Sequence, residues 1–405
     1  MTRPLEGIRV LDMSRILAGP SAAQILGDLG ADVIKLERPG KGDDTRGWGP
    51  PFLTSSNDSD SGESAYYLSA NRNKRSLAVD FSKPGGRDIV YDLLRESDVL
   101  IENFKVGDLD RKGLGWESVH AIAPQLVYCS ITGFGQDGPY ADRPGFDFVI
   151  QGMSGLMSLT GEPDGQPMKL GVPISDILAG LYAVSAILAA LRGRDRTESG
   201  SHLDISLLDC QVASLFNQSA NYLVGGTPPE RHGNAHPNVV PYETFEAADS
   251  HITIAVGSDA QFQKLCTLLD RQDLAEDPEL TTNAGRLTHR DRLIASLREA
   301  FRNKSCAYWI TACNAAGVPC GPINTVPEAI EDCHMRARGL VESVQHPAVA
   351  EPINLVRSPI RMSDADLGIR RVPPMLGEHT QELLSGLLGY DGERIDALRK
   401  QGIVS

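Results

Sequence analysis

The sequence predicts an α/β fold built on a parallel sheet, and three observations lead there. Short apolar runs alternate with helical patterns through the first half of the chain, as successive β-α-β units require. Apolar residues make up 41% of 405 positions, enough to bury one large core and a second, smaller one. The character then changes at Gly225-Gly226-Thr227-Pro228-Pro229, where a turn-rich stretch begins. The expected layout is a large domain from 1–224, a small α+β domain from 225–325, and a segment from 326–405 that returns to the large domain.

Ile8–Met13 reads as the first strand, followed by the small-residue turn Ala18-Gly19-Pro20 and a helical pattern over Ala22–Leu29. Asp32–Glu37 is the second strand. Lys41–Glu63 is rich in Gly, Asp, Ser and Pro, with a Ser/Asp patch at 54–64, and reads as a long surface loop of the kind that carries function. Ser76–Phe81 is the third strand. Pro84 opens a helix to about Glu96, where its missing N–H costs no hydrogen bond. A strand at Asp98–Glu102, a short helix at Glu117–Ile122 and a strand at Leu126–Thr132 follow. Asp176–Leu191 is alanine-rich and apolar all round, so it predicts a buried helix. His202–Ser206 is a short strand and Leu207–Leu223 a further apolar helix. The small domain holds a strand at Ile252–Val256 and three helices within Gln261–Cys313. Prolines 347, 352, 359, 373 and 374 punctuate the last segment, which suits a chain running back across a domain or around a partner.

A formal net charge of -14 excludes nucleic acid or an anionic membrane as the main partner, while local basic clusters still suit a phosphate-bearing ligand. Met1–Arg9 is polar, and no run of about twenty apolar residues is visible, so a cytoplasmic protein is expected. A mature organelle form fits as well. Seven cysteines without a framework spacing read as reduced thiols, and Cys306, Cys313 and Cys320, seven apart, as core residues. His232 and His236 are flanked by glycine and proline and make a poor zinc pair, so no metal is expected.

There is no spaced-glycine dinucleotide fingerprint and no Walker loop. Arg38 follows the second strand, Arg72, Lys74 and Arg75 precede the third among Asn71 and Asn73, and Lys105 and Arg111 follow the fourth. Residues just past the carboxyl ends of parallel strands line a ligand crevice, so Arg38, Lys105 and Arg111 are placed to converge on an anion, while each of these basic residues also reads as a solvated surface charge. Asp176 opens the apolar helix, where the helix N-terminus should keep it ionised at neutral pH. That suits a carboxylate nucleophile, and it equally suits a plain helix cap. Gly225-Gly226 and Gly233-Asn234 fit a mobile cover or an ordinary linker.

These residues resemble the family III CoA transferases. The resemblance runs through Pro4-Leu5-Glu6-Gly7-Ile8-Arg9-Val10-Leu11-Asp12, Leu26-Gly27-Asp28-Leu29-Gly30-Ala31-Asp32-Val33-Ile34-Lys35, Asn71-Arg72-Asn73-Lys74-Arg75-Ser76, Glu102-Asn103-Phe104 and Leu376-Gly377-Glu378-His379-Thr380. It implies a Rossmann-like large domain made from both chain ends, an inserted small domain, and a homodimer of interlocked chains. It places the catalytic aspartate on Asp176 and CoA-binding positions on Ala18, Arg38, Asn73, Lys74, Arg75, Asn103, Phe104 and Arg111. Coenzyme A enters as acyl-CoA substrate, with no metal, ATP or redox cofactor. Gly42-Asp43-Asp44-Thr45-Arg46 and Trp48-Gly49-Pro50-Pro51-Phe52 resemble the branch that uses succinyl-CoA and C4–C6 diacids such as glutarate. Arg231 and His236 are then candidates for the diacid's far carboxylate. Leu17 stands where the oxalate branch has glutamine. An acyl-CoA racemase would need a histidine base where Phe146 stands, and a non-catalytic CoA-binding protein would have no use for Asp176.

Overall fold

The computed structural model describes residues 3–54 and 60–405, so the part of the expected 41–63 loop and Ser/Asp patch at 55–59 lies outside the described residues, as do Met1 and Thr2. The chain forms two compact units. Met1–Leu156, Lys169–Gly225 and His334–Ser405 make the first, Met157–Met168 and Gly226–Cys333 the second. Met157–Met168 joins the second unit although the sequence reading leaves it in the large domain. The Arg231 guanidinium holds it by donating to the carbonyls of Glu162 at 3.2 Å and Gly165 at 2.7 Å.

The first unit is organised by six parallel strands: β1 (Arg9–Asp12), β2 (Asp32–Glu37), β3 (Lys74–Ala78), β4 (Val99–Glu102), β5 (Val127–Thr132) and β6 (His202–Ser206). Their order is β3-β2-β1-β4-β5-β6, with Val10 in register with both Val33 and Val99. This is the doubly wound order, which places a crevice where β1 and β4 lie side by side and their connections part to opposite sides. Its helices include α1 (Ala18–Asp28), α2 (Pro84–Arg95), α3 (Trp116–Ile122), α4 (Asp147–Met153), α5 (Ile174–Thr197), α6 (Leu207–Ala213) and α7 (Phe216–Gly225). One face of the sheet buries Val10, Val33, Val99 and Val127 against Ala22 and Leu26 of α1 and Ala179, Ala183 and Ile187 of α5. The other buries Leu11, Ile34 and Leu100 against Ile89 and Leu93 of α2 and against the chain's end, Leu383, Leu384, Ile395, Leu398 and Val404. Each fully buried aliphatic side chain adds about 1.5–3 kcal/mol of transfer free energy, so the C-terminal residues are integral to this core.

Three expectations are corrected. The third strand runs from Lys74 to Ala78, not Ser76 to Phe81. Asn73, at φ +60°, starts it by accepting the N–H groups of Arg370 and Arg371 on Oδ1. Phe81 leaves the sheet to meet Phe104 edge to face at 5.8 Å. The expected helix Leu207–Leu223 is broken into α6 and α7, because Phe216 takes φ +40°. Contrary to the reading that no such run exists, α5 has the length and apolarity to cross a membrane, but it packs in the core through Ala179, Gly180, Ala183, Val184, Ile187 and Leu191.

In the second unit, Tyr242–Glu246, His251–Ala255 and Cys320–Pro322 form an antiparallel sheet. Five helices between Asp259 and Ala316, two more than expected beyond short turns, pack around Phe245, Phe262, Phe301 and Trp309. Cys306 and Cys313 are buried in that core on one helix, as their spacing predicts, whereas Cys320 lies half-buried on the strand that follows and packs against the core from there.

Candidate active site

The chain leaves β1 through Met13–Leu17 and leaves β4 through Asn103–Val106, and between these segments lies a cavity of about 280 Å³. Its walls include Arg15, Leu17, Ala18, Asn103, Phe104, Lys105, Gly133, Arg143, Phe146 and Asp176. Asn103 clamps the first segment, since its Oδ1 accepts Arg15 N–H at 2.9 Å and its Nδ2 donates to Arg15 O at 2.7 Å. The next residue, Ile16, is held at φ +72°, a conformation that a β-branched residue adopts only under constraint. Gly133 and Gly145 approach so closely that a Cβ on Gly133 would lie 2.5 Å from the Cα of Gly145, and that contact brings the 141–146 loop to the end of β5.

Beneath the β1 segment lies a buried charge lattice. Lys35 pairs with Asp43 at 2.8 Å, and Lys74 pairs with Asp12 at 2.9 Å while donating to Pro20 O and Asn71 Oδ1. Against the cost of burial, the Lys35 ammonium holds the Asp43 carboxyl down at about 2. Asp43 Oδ1 also accepts the Ile16 N–H at 3.3 Å, so the lattice reaches the strained turn.

Asp176 is the third residue of α5. The helix begins after Pro173, which has no N–H to lose. Asp176 is therefore not the cap, and no hydrogen bond among the described residues engages its carboxyl. The capping is done by Asp147, whose Oδ1 accepts Ser175 N–H at 2.8 Å, while Ser175 Oγ donates to Gln211 at 2.9 Å. Burial, with the Asp147 charge added, pushes the Asp176 carboxyl up to about 7. This corrects the expectation of a fully ionised group, because desolvation outweighs the helix end. Tyr66 is raised to about 12 by burial and by the same two carboxylates, so its phenol stays protonated.

A second recess of about 460 Å³ shares Arg15 and Phe104 with the cavity and adds Arg38, Val79, Asp80, Phe81, Ser82, Asp108 and Lys112. Arg15 bonds Asp44 at 2.9 Å and lies 5.6 Å from the Phe104 ring, and its buried Nε has no partner in the described residues.

Of the residues singled out in the sequence, Ala18, Asn103, Phe104 and Asp176 meet at the cavity, and Arg38 lines the recess. Asn73, Lys74 and Arg75 do not reach either. They start β3, at the opposite end of the sheet from the crevice, and are spent on structure. Asn73 holds Asp28 and the 370–371 backbone, Lys74 lies in the charge lattice, and Arg75 pairs with Asp32 and Glu382. Burial lowers the Lys74 ammonium to about 8. Arg111 is exposed and paired with Asp108, and its neighbour Lys112 takes the place in the recess. Arg231 and His236 belong to the second unit. The Arg231 guanidinium serves the 162–165 carbonyls, and His236 accepts Asn238 N–H on Nδ1 and packs 5.2 Å from Tyr242. No group of three or more metal-ligating side chains is found among the described residues. Sequence reasoning missed Arg15, Val79–Ser82, Lys112, Arg143 and Asp147. The rule that selected Arg38 and Lys105, position just past a strand's carboxyl end, selects Arg15 and Val79–Ser82 as well.

A family model described as CoA-transferase family III matches residues 5–380. The chain is 49% identical to a succinate–glutarate CoA-transferase of Agrobacterium fabrum, covering 95% of this chain and 96% of that protein. It is 42% identical to the succinyl-CoA:glutarate CoA-transferase of Homo sapiens, covering 99% and 90%. A crystal structure of a CaiB/BaiF family protein from Brucella suis superposes with a TM-score of 0.84 at 48% identity, over 96% of this chain and 100% of that one.

Proposed function

The chain belongs to CoA-transferase family III and is a transferase acting on CoA thioesters, and on that premise we propose that it moves CoA from succinyl-CoA to a C4–C6 dicarboxylate, glutarate first. The names of the similar transferases support this substrate pair. The observation that carries the site is the Asp176 carboxyl, without a hydrogen bond among the described residues, in one cavity with Arg15, Asn103 and Phe104.

In this reading the Asp176 carboxylate attacks the thioester carbonyl of succinyl-CoA, forming a mixed anhydride and expelling CoA thiolate. The thiolate attacks the aspartyl carbonyl, which releases succinate and leaves an aspartyl-CoA thioester. The acceptor carboxylate attacks that thioester to give a new mixed anhydride and thiolate. Attack of the thiolate on the acceptor's acyl carbon yields the product thioester and restores Asp176. Each step exchanges one acyl bond for another, so the thioester is conserved. A carboxyl near 7 is both ionised in useful fraction at neutral pH and more nucleophilic than an ordinary aspartate. Uncapped amides at the start of α1, beside Leu17 and Ala18, are suited to stabilise the oxyanions.

The recess with Arg15, Arg38 and Lys112 suits the phosphates of CoA, and Phe81 and Phe104 offer faces for its adenine. Arg143 suits the far carboxylate of the diacid. It lines the cavity, rests 3.8 Å over the Tyr140 ring, and pairs with no carboxylate among the described residues. Phe146, an apolar wall without a proton to move, stands against a racemase. We read the working form as a homodimer of interlocked chains. Phe216 (72% exposed), Leu223 (79%) and Val224 (90%) leave an apolar face on the single chain that such a partner would cover.

The test is a CoA-exchange assay with succinyl-CoA and a panel of dicarboxylates. Exchange to glutaryl-CoA or a close analogue, abolished in Asp176→Ala, supports the reading. No exchange with any acid, together with deuterium entry at the α-carbon of a branched acyl-CoA, refutes it.

A further inference from the structure

Behind the Phe104 wall lies a polar cluster to which no step of the transfer assigns a role. Glu102, the last residue of β4, is 5% exposed, and its Oε2 accepts the Phe104 N–H at 2.8 Å. The Ser130 hydroxyl of β5 offers the same carboxyl a hydrogen bond and sits 2.9 Å from His202 Nε2 on β6. His202 cannot turn away: Trp116 stacks on it at 5.6 Å and Tyr128 meets its edge at 5.2 Å. Asp108 and Asp110 face Glu102, and Asp110, Glu117 and Asp204 face His202. Three adjacent strands thus supply a file of groups, Glu102, Ser130 and His202, ending on one backbone amide.

That amide belongs to the turn that builds the site. Asn103 clamps Arg15, and Phe104 is a wall of both the cavity and the recess. We propose that Glu102, held by Ser130 and His202, is a positioning residue that fixes the Asn103–Phe104 turn for acyl-CoA binding. This rests on the CoA-transferase reading for its ligand. The file also has a direction. With Glu102 ionised, Ser130 donates to it and accepts from a His202 protonated on Nε2. With an amide at 102, the side chain donates to Ser130, which must then donate to Nε2, leaving the proton of His202 on Nδ1. Burial raises the Glu102 carboxyl to about 7, so both arrangements are accessible near neutral pH.

The experiment compares wild type, Glu102→Ala, Glu102→Gln and Ser130→Ala by calorimetric titration with CoA, by donor KM against kcat, and by ¹⁵N NMR of the His202 ring. Glu102→Ala should weaken CoA binding about tenfold, with the loss falling on donor KM rather than kcat, and Glu102→Gln, which still accepts the Phe104 N–H, should restore it to within about threefold. The His202 tautomer should switch from Nε2–H to Nδ1–H between wild type at high pH and Glu102→Gln. Equal CoA affinity in wild type and Glu102→Ala, or equal loss in the alanine and glutamine variants, overturns the proposal. Should Glu102→Ala fail to fold, Ser130→Ala decides: weaker CoA binding supports the proposal and unchanged binding overturns it. Wild type that binds CoA but exchanges it with no acid would refute the transferase reading while leaving the CoA titrations to judge Glu102.

Discussion

Asp147 Oδ1 lies 2.8 Å from the backbone nitrogen of Ser175, so one carboxylate caps the helix that presents another. The geometry gives α5 its N-terminal hydrogen bond and places a negative charge beside Asp176, which burial has already raised. The two effects are separable by experiment.

Because the Asp176 carboxyl sits at about 7, the reactive anion is gained as pH rises through neutrality. We expect kcat/KM for the acyl-CoA donor to climb toward a plateau above pH 7. In Asp147→Asn, which keeps an oxygen for Ser175, the midpoint should fall by about one unit. Steady-state pH profiles of the two proteins check this, and coincident profiles would remove Asp147 from the account.

The same shift has a sign for stability. A carboxyl raised in the folded chain is costly once the unfolded chain would ionise it, so the penalty appears between the ordinary value of 3.8 and about 7 and persists above. Asp176→Asn should therefore melt above wild type at pH 8 and with it at pH 4. Calorimetric melting at both values is the measurement.

Arg143→Leu should lower kcat/KM for glutarate about 10- to 100-fold, the worth of a lost charge-assisted bidentate bond, with a smaller effect on a monocarboxylate of equal length. An acceptor panel reads the ratio, and an unchanged preference would assign the far carboxylate elsewhere.

Arg46 is bonded to Glu37 at 2.7 Å, to Glu63 at 2.7 Å, to the Tyr67 hydroxyl and to Pro374 O, all in the interior. Removing it takes the guanidinium from two buried carboxylates while Glu37 keeps the Asp43 N–H and the Ser76 hydroxyl. Arg46→Leu should cost about 3–5 kcal/mol in urea unfolding. A change under 1 kcal/mol would mean that water reaches the site.

Gly180 lies one helical turn beyond Asp176, and a Cβ there would stand 2.5 Å from Ser21 Oγ and 3.0 Å from Ala18 O. Gly180→Ala should push α1 from α5 and reduce transfer while the fold survives. Circular dichroism alongside the exchange assay distinguishes this from simple unfolding.

Much of this was legible in the chain. The alternation of apolar runs and helices led to the parallel sheet because parallel strands must be bridged by crossovers, and Arg38 and Lys105 were found because strand ends face the crevice. Lys74 misled for a physical reason: a lysine beside arginines reads as surface charge, and only the fold brings Asp12, sixty-two positions away, to bury it. Arg111 and Lys112 differ by one position on a tight turn, below the resolution of any spacing argument. The elevation of Asp176 was invisible, since burial depends on every neighbour and the helix end on the sequence alone.

The contacts of Ile403 and Val404 have a consequence for the order in which this protein is made. Val404 pairs with Val79, and Ile403 O receives the Asp80 N–H at 2.7 Å, so the recess wall at 79–82 is braced by residues made long after it. The 226–333 stretch has its own core and is free to fold during synthesis, whereas the sheet must wait, one face uncovered, for residues 383–404 to arrive. A chain stalled or clipped before Ile403 would thus carry Asp176 and yet lack a finished ligand wall, so synthesis through Val404 is itself a condition for activity.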